Sequence, residues 1–257
     1  MGEEVISQIK RGHIHKLLTM GRRVDGRGAE EYRPIVVETG LIESAQGSAR
    51  VKVGGTEVVV GVKMDVGSPF ADTPDRGVLT TNAELIPLAS PTFESGPPDP
   101  AAIELARVID RGIRESEMID LQKLCIKHGE EVWINFVDIY VIDYDGNLFD
   151  ACFCGAVAAL RNTVVPAAEH GKGDDYPMPL RHFPIQTTAV KIENSILFDP
   201  ALDEEKVADA RLTVTTDENG DLRAMQKGLT GAFTLDEVKS IMSASLRLSK
   251  DLREIIG

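Results

Sequence analysis

Apolar and polar residues along the chain follow two rhythms, and the changes of rhythm mark its elements. From Glu3 to Leu18 the apolar positions Val5, Ile6, Ile9, Ile14, Leu17 and Leu18 recur close to every 3.6 residues, which predicts a helix that Gly21 stops. The period then shortens. Ile35-Val36-Val37 reads as a strand, and Ser48–Val53 and Thr56–Val62 flank Gly54-Gly55, the signature of a hairpin. Residues 67–77 are a loop, and Val78 to Leu88 is again extended, with Pro87 and Pro91 confining its end to an edge. A proline-rich loop, 90–100, ends on Asp99-Pro100. That pair supplies an N-cap and a first-turn proline for a helix to about Arg114. A second helix is expected around Ile119 to Lys127.

Glu131 to Ile142 is the most strand-like stretch. Trp133, Ile134, Phe136, Val137, Ile139, Tyr140 and Val141 fall on both phases, which predicts a central strand buried on both faces. Asp145-Gly146 turns it. Phe149 to Asn162 follows as a helix of small residues, Ala151, Gly155, Ala156, Ala158 and Ala159, able to pack close to a sheet. After a polar loop, 167–179, strands are expected at Ile185–Ile192, Ser195–Phe198, Ala210–Thr216 and Leu222–Lys227, with Asn219-Gly220 closing a hairpin. Thr234-Leu235-Asp236-Glu237 is a capping box. It opens a long amphipathic helix striped by Leu235, Val238, Ile241, Met242, Leu246, Leu252 and Ile255.

Strands then helices occur twice, at 35–88 with 100–127 and at 131–228 with 234–255. The order predicts an α+β fold of two similar strand-plus-helix halves sharing one core. The halves, about 24–130 and 131–257, belong to a single domain spanning 1–257. Regular βαβα alternation, and with it a doubly wound sheet or an eight-stranded barrel, is absent.

Composition narrows the class. Of 257 residues, 42% are hydrophobic and 27% charged, an ordinary globular balance that excludes disordered, collagenous and disulfide-scaffold readings. No apolar run approaches a membrane span, so no membrane partner is expected. Met1-Gly2-Glu3-Glu4 has no signal-peptide character, and three cysteines do not make a disulfide framework. Both point to a cytoplasmic location. The net charge of −13 opposes general nucleic-acid binding and favours a more basic mate. Two basic patches stand against it. Lys10 to Arg33 holds seven Lys or Arg against three acidic residues, and Arg107, Arg111 and Arg114 form the second. The plainest reading of both is a solvated helix face.

The familiar catalytic motifs are missing: no Gly-x-Gly-x-x-Gly after a strand, no phosphate-binding Walker loop and no Gly-x-Ser-x-Gly elbow. Cys152 and Cys154 sit two apart on a helix and point apart, so they read as buried thiols rather than a metal pair. His13 and His15 cannot share a helix face, and His128, His170 and His182 lie in separate loops. No metal or cofactor is expected. One acidic run, Asp199, Asp203, Glu204, Glu205 and Asp209, admits two readings. Clustered carboxylates can hold Mg²⁺ beside a phosphate; they also stabilise a helix start through its dipole. The helix start is the favoured reading.

Arg23-Val24-Asp25-Gly26-Arg27 followed by Tyr32-Arg33-Pro34-Ile35 resembles the opening of the RNase PH family. So do Gly47-Ser48-Ala49-Arg50-Val51, Asn82-Ala83-Glu84-Leu85, Asp199-Pro200 and Gly231-Ala232-Phe233-Thr234-Leu235-Asp236-Glu237. The resemblance spans nearly the whole chain. Within the family it looks like the non-catalytic RNase PH-type subunit of the archaeal exosome. That implies a two-lobed α+β fold, a ring of three heterodimers with a catalytic sister subunit, RNA-binding cap subunits, and phosphorolytic 3′-to-5′ decay of single-stranded RNA.

Departures from the catalytic pattern mark the subunit type. Where catalytic members carry two arginines that hold RNA, this chain has Pro100 and Ala101. Where they carry Gly-Ser-Arg for inorganic phosphate, it has Asn147-Leu148-Phe149. Asp203 and Asp209 keep the spacing of the family's catalytic carboxylates, but without the cradle and clamp they repel both substrates. The expectation is therefore no catalytic residue and no activity of the chain alone. Arg107, Arg111 and Arg114, at i, i+4 and i+7, share a helix face. Ala102, Ile103, Ala106, Ile109 and Ile113 form the adjacent core stripe. In related subunits the matching helix faces the central channel, so the resemblance makes these arginines RNA-binding residues. The opposing reading is salt bridges to Glu104, Asp110, Glu115 and Glu117. Two alternative functions remain: an exoribonuclease active by itself through Asp203 and Asp209, and an assembly scaffold without RNA contact.

Overall fold

The computed structural model describes the backbone of residues 2–257 and the side chains from residue 11 onward. Helix α1 (Gly2–Thr19) opens the chain. The stripe positions Val5, Ile6 and Ile9 lie outside the described side chains. Ile14 is buried against Val190, Ile192, Leu197 and Val207.

The first sheet takes β1 (Ile35–Thr39), β2 (Gly47–Val53), β3 (Thr56–Gly67) and β4 (Val78–Leu85). After helix α2 (Pro100–Glu115) it adds β5 (Cys125–Lys127) and β6 (Glu131–Asp143). Its order is β1-β2-β3-β6-β4, with β5 paired to β6, and only β4 runs parallel to its neighbour. The β2–β3 hairpin turns as the glycine pair requires, with Val53 facing Thr56 and Gly54 at φ +57°.

Helix α3 (Leu148–Arg161) follows, then the two-stranded ribbon β7 (Val164–Val165) and β8 (Tyr176–Pro177). The second sheet comprises β9 (Ile185–Ile192), β10 (Ser195–Phe198), β11 (Ala210–Thr216) and β12 (Leu222–Gly228), in the antiparallel order β10-β9-β11-β12. Helix α4 (Leu202–Val207) interrupts it, and α5 (Leu235–Ile256), started by the Thr234–Glu237 capping box, packs on β9 and β11.

Helix α3 lies between the sheets, touching β2 and β3 on one side and β9 on the other. Small residues make this possible. A Cβ on Gly155 would come within 2.8 Å of Val60, and one on Gly112 of α2 within 2.5 Å of the Phe153 ring. The largest apolar cluster gathers β2, β3, β6, α2 and α3 around Ile109, Trp133, Ile139 and Phe153. Two smaller clusters lie under α5 and α1.

Five expectations need correction. Residues 119–127 do not form a helix; Leu121–Leu124 make one 3₁₀ turn and Cys125–Lys127 pairs with β6. Glu117 leaves α2 at φ +51°, Asp120 N–H is spent on Pro179 O, and Ile119 bridges Leu180, so tertiary partners outbid local propensity. The extended stretch from Val78, β4, ends at Leu85 rather than Leu88, and loop 167–179 contains β8. Strand β6 is buried on one face only, since Phe136 is 37% and Tyr140 40% exposed. The core stripe of α2 is Ala102, Leu105, Val108, Ile109, Gly112 and Ile113. Ile103, 48% exposed, belongs to the outer face instead.

Candidate functional site

The arm after α1 is bound to the second sheet by three arginines. Arg23 grips Glu204 with two bonds, at 2.9 and 2.5 Å, and donates to the carbonyls of Phe198 and Asp199. Arg27 and Arg33 both reach the Asp199 carboxylate, at 2.9 Å and at 2.7–2.8 Å. Asp199 is fully buried at φ +46° and also accepts Arg33 N–H and Asn147 Nδ2. The C-terminal part of the basic patch read between Lys10 and Arg33 as a solvated face is therefore not one: Arg23 and Arg33 are buried and Arg27 half-buried, while Arg11, Lys16 and Arg22 are exposed. Arg-Val-Asp-Gly-Arg is structural cement.

Burial works against the charge on Asp199. The hydrogen bonds and attraction of Arg33, with Asn147, win and hold its carboxyl below the usual range. A depressed carboxyl contributes stability that is present above the unfolded value, near about pH 4, and is lost as pH falls through the folded value. Urea midpoints followed from pH 6 downward should therefore fall below about pH 4. Asp199→Asn should flatten that fall; an equally steep fall in the variant would show that the carboxyl carries none of it.

This network braces the start of α3. Asn147, 1% exposed, takes the left-handed conformation at φ +54° and links Asp150 and Asp199 through its amide, 2.9 Å to each. Asp150 also accepts from Tyr32 Oη and from the Thr188 backbone and hydroxyl. Burial pushes its carboxyl up to about 6 against these bonds.

The positions that the family resemblance assigns to phosphate are closed. Leu148 and Phe149 are buried, and the Arg211 guanidinium lies 3.9 Å over the Phe149 ring while pairing with Glu104. The helix N-terminus already holds an anion: Glu205 accepts Asn147 N–H at 3.1 Å and Tyr144 Oη at 3.2 Å. Burial raises the Glu205 carboxyl despite the Asn147 bond and the nearby Arg211.

The acidic run is a helix start. Asp203, Glu204 and Glu205 form the first turn of α4, and Glu204 reaches back to Ala201 N–H. Asp209 is committed to Arg11 and Glu193 N–H, both at 2.7 Å. Neither Asp203 nor Asp209 joins a three-ligand cluster among the described residues. The group with metal-like geometry is His182, Asp217 and Glu218, and Arg223 already sits on Asp217 at 2.6 Å. Cys152 and Cys154 are buried free thiols, with burial pushing Cys154 to about 12.

Helix α2 presents the arginine row. Asp99 caps it through Ala102 N–H at 2.7 Å, so its Pro100-Ala101 start offers no basic group. Arg107 and Arg111 are exposed and have no ion pair among the described residues; with Ile103, Thr81 and Gln226 they line an open groove. Arg114 is different. It pairs with Asp110 at 3.0 Å and donates to Leu79 O at 3.1 Å, tying α2 to β4. Glu104 and Glu117 serve Arg211 and Arg181 rather than the row. Sequence reasoning missed the two-part division of the row and the Glu205 contact. The i, i+4 spacing of Asp110 and Arg114 was the available signal for the first.

Comparison with known proteins places these features. Residues 31–166 match domain 1 and residues 182–247 domain 2 of the 3′ exoribonuclease family, RNase PH. Exosome complex component Rrp42 of Methanocella arvoryzae is 54% identical over 254 residues, covering 99% of this chain and 98% of its own. That of Thermococcus gammatolerans is 54% identical over 261 residues, covering 98% and 96%. A chain of the Archaeoglobus fulgidus exosome with RNA bound to the active site superposes with a TM-score of 0.96 at 49% identity, over 98% of this chain and all of that one. A chain of an archaeal exosome core gives 0.92 at 45%, over 100% and 99%. The family models, the sequence identities and the superpositions agree over nearly the whole chain: this chain belongs to the 3′ exoribonuclease (RNase PH) family.

Proposed function

We propose that this chain is a non-catalytic RNase PH-type subunit of an archaeal exosome. It builds the ring with a catalytic RNase PH-type sister, structures that sister's site and helps guide single-stranded RNA to it for 3′-to-5′ phosphorolysis. RNA-binding cap subunits complete the assembly. Its free thiols fit the reducing cytoplasm. The observation that carries the non-catalytic reading is Glu205 at the N-terminus of α3, where its carboxylate takes the N–H donor an attacking phosphate would need. Buried Leu148 and Phe149 supply no replacement donor, and Pro100-Ala101 supplies no clamp. For RNA guidance the support is the pair Arg107 and Arg111, about 6 Å apart along the helix axis and free to take successive phosphates whatever the base.

The test is activity with and without the sister. The purified chain with Mg²⁺, phosphate and single-stranded RNA should release no nucleoside diphosphates. Added to a catalytic sister, it should form a discrete hexamer that degrades RNA faster than the sister alone. Phosphate-dependent release by the partner-free chain would overturn the non-catalytic reading. Equal sister activity with and without the chain would overturn the structuring role.

A further inference from the structure

Helices α2 and α3 both lie on the inner side of the first sheet; on its outer face Ile42 and Ser44 lie against Gly61 and Lys63 of β3, and the β6–β4 part is exposed among the described residues. The middle of that face is unusual for a solvated surface. Phe136 and Tyr140 of β6 stand on it, four residues apart and exposed. Asp138 sits between them, half-buried. Its cross-strand neighbours are Gly61, over which Ile42 packs, and Asn82, so the carboxylate stands in one row between the two rings.

Asp138 makes no hydrogen bond or ion pair among the described residues. Burial and the charge of Glu84 raise its carboxyl. Glu84 lies opposite Tyr140 and accepts its hydroxyl at 3.2 Å. The cations on the same face are already engaged: Arg50 and Lys52 pair with Glu57, and Lys63 bonds the Ser44 carbonyl. An uncompensated, partly desolvated carboxylate next to a like charge destabilises the free chain.

We propose that this face docks a second protein chain of the ring through an arginine seated on Asp138 between Phe136 and Tyr140. The proposal rests on the reading of the chain as an assembly subunit. A guanidinium suits each element of this row. Its fork matches carboxylate oxygens, its flat faces stack on aromatic rings, and it sheds water more readily than an ammonium. RNA is excluded as the occupant, because its phosphates would meet Asp138 and Glu84 head on.

The test compares free and assembled full-length chain, for wild type, Asp138→Asn, Asp138→Lys and Phe136→Ala. Asp138→Asn should hold or raise the melting temperature of the free chain, since it removes an unpaired charge. The same change should raise the dissociation constant for the sister subunit about tenfold, the worth of one charge-assisted hydrogen bond. Asp138→Lys should prevent assembly in size-exclusion chromatography, and Phe136→Ala should weaken it. Higher stability with weaker assembly is a combination that a purely structural residue does not give. Wild-type affinity in a folded Asp138→Lys chain would overturn the docking proposal alone. A free chain that loses stability as Asp138→Asn loses assembly would also overturn it, by making the residue structural. A wild-type chain that assembles with no sister would overturn this proposal and the proposed function together.

Discussion

Asp199→Ala should cost the folded chain about 3–5 kcal/mol, the range for removing one partner of a buried ion pair. The carboxylate is fully buried and is shared by Arg27, Arg33 and Asn147. Its removal strands two guanidinium groups and loosens the arm on the second sheet, which Arg23 still holds through Glu204. Against a total of roughly 5–15 kcal/mol for a domain, such a loss removes a large fraction of the stability. Urea unfolding should show it as a lower midpoint at an unchanged slope. Asp199→Asn keeps the shape and tolerates the left-handed backbone, so it should retain part of the network and lose less. An unchanged midpoint for Asp199→Ala would mean that the arm is held by its apolar contacts and not by this carboxylate.

Arg107→Glu with Arg111→Glu should lower the RNA affinity of the assembled ring by about 1–3 kcal/mol. The loss should be similar for all sequences, and the salt dependence of binding should become shallower, because fewer phosphates are neutralised. Assembly should survive, since the buried stripe of Leu105, Ile109 and Ile113 is untouched. Arg114→Ala is the contrasting variant. Its guanidinium is held by Asp110 and Leu79, so its removal should cost about 1 kcal/mol of stability and leave RNA affinity nearly unchanged. Unchanged affinity in the double variant would reduce the groove on α2 to an ordinary solvated surface and favour a scaffold without RNA contact.

Much of the fold was legible because its signals are local. The Gly54-Gly55 turn, the Asp99-Pro100 start of α2, the small residues of α3 and the Thr234 capping box each carry their own chemistry, and all four stand where they were read. Residues 119–127 were misread because bonds to Pro179 and Leu180 decide their conformation, and periodicity holds no information about partners that distant. The double-phase apolar pattern of β6 was misread in another way. Its hydrophobicity was real, but Phe136 and Tyr140 face outward, so the pattern reported two apolar faces without saying what covers the second.

At the site, Pro100-Ala101 and Asn147-Leu148-Phe149 were legible as departures from a motif. The carboxylate at the α3 N-terminus was not. Glu205 lies 58 residues from Asn147, in a run whose plain reading as an acidic helix start is also correct. One residue serves both ends, and composition cannot say so. The arginines of the arm were misjudged for the same reason. Their partners are far along the chain, and a basic cluster in sequence says nothing of carboxylates that fold brings to it.

That distance bears on how the chain acquires its structure. Arg33 meets Asp199 across 166 residues, Arg27 meets it across 172, and Arg23 meets Glu204 across 181. During synthesis the arm is among the first segments made, yet its counter-charges emerge only after the first sheet, α2 and α3 are complete. Contacts of such long range carry a large loop-closure cost and form late. Until then the three arginines lack these distant carboxylates, Arg27 having only its neighbour Asp25, on a nascent chain that can already build its largest apolar cluster. Docking of the arm should therefore be the closing event of folding, following the second sheet. A refolding experiment should register it as a slow phase in Tyr32 burial, after most secondary structure has formed, and Asp199→Ala should remove that phase while sparing the earlier ones.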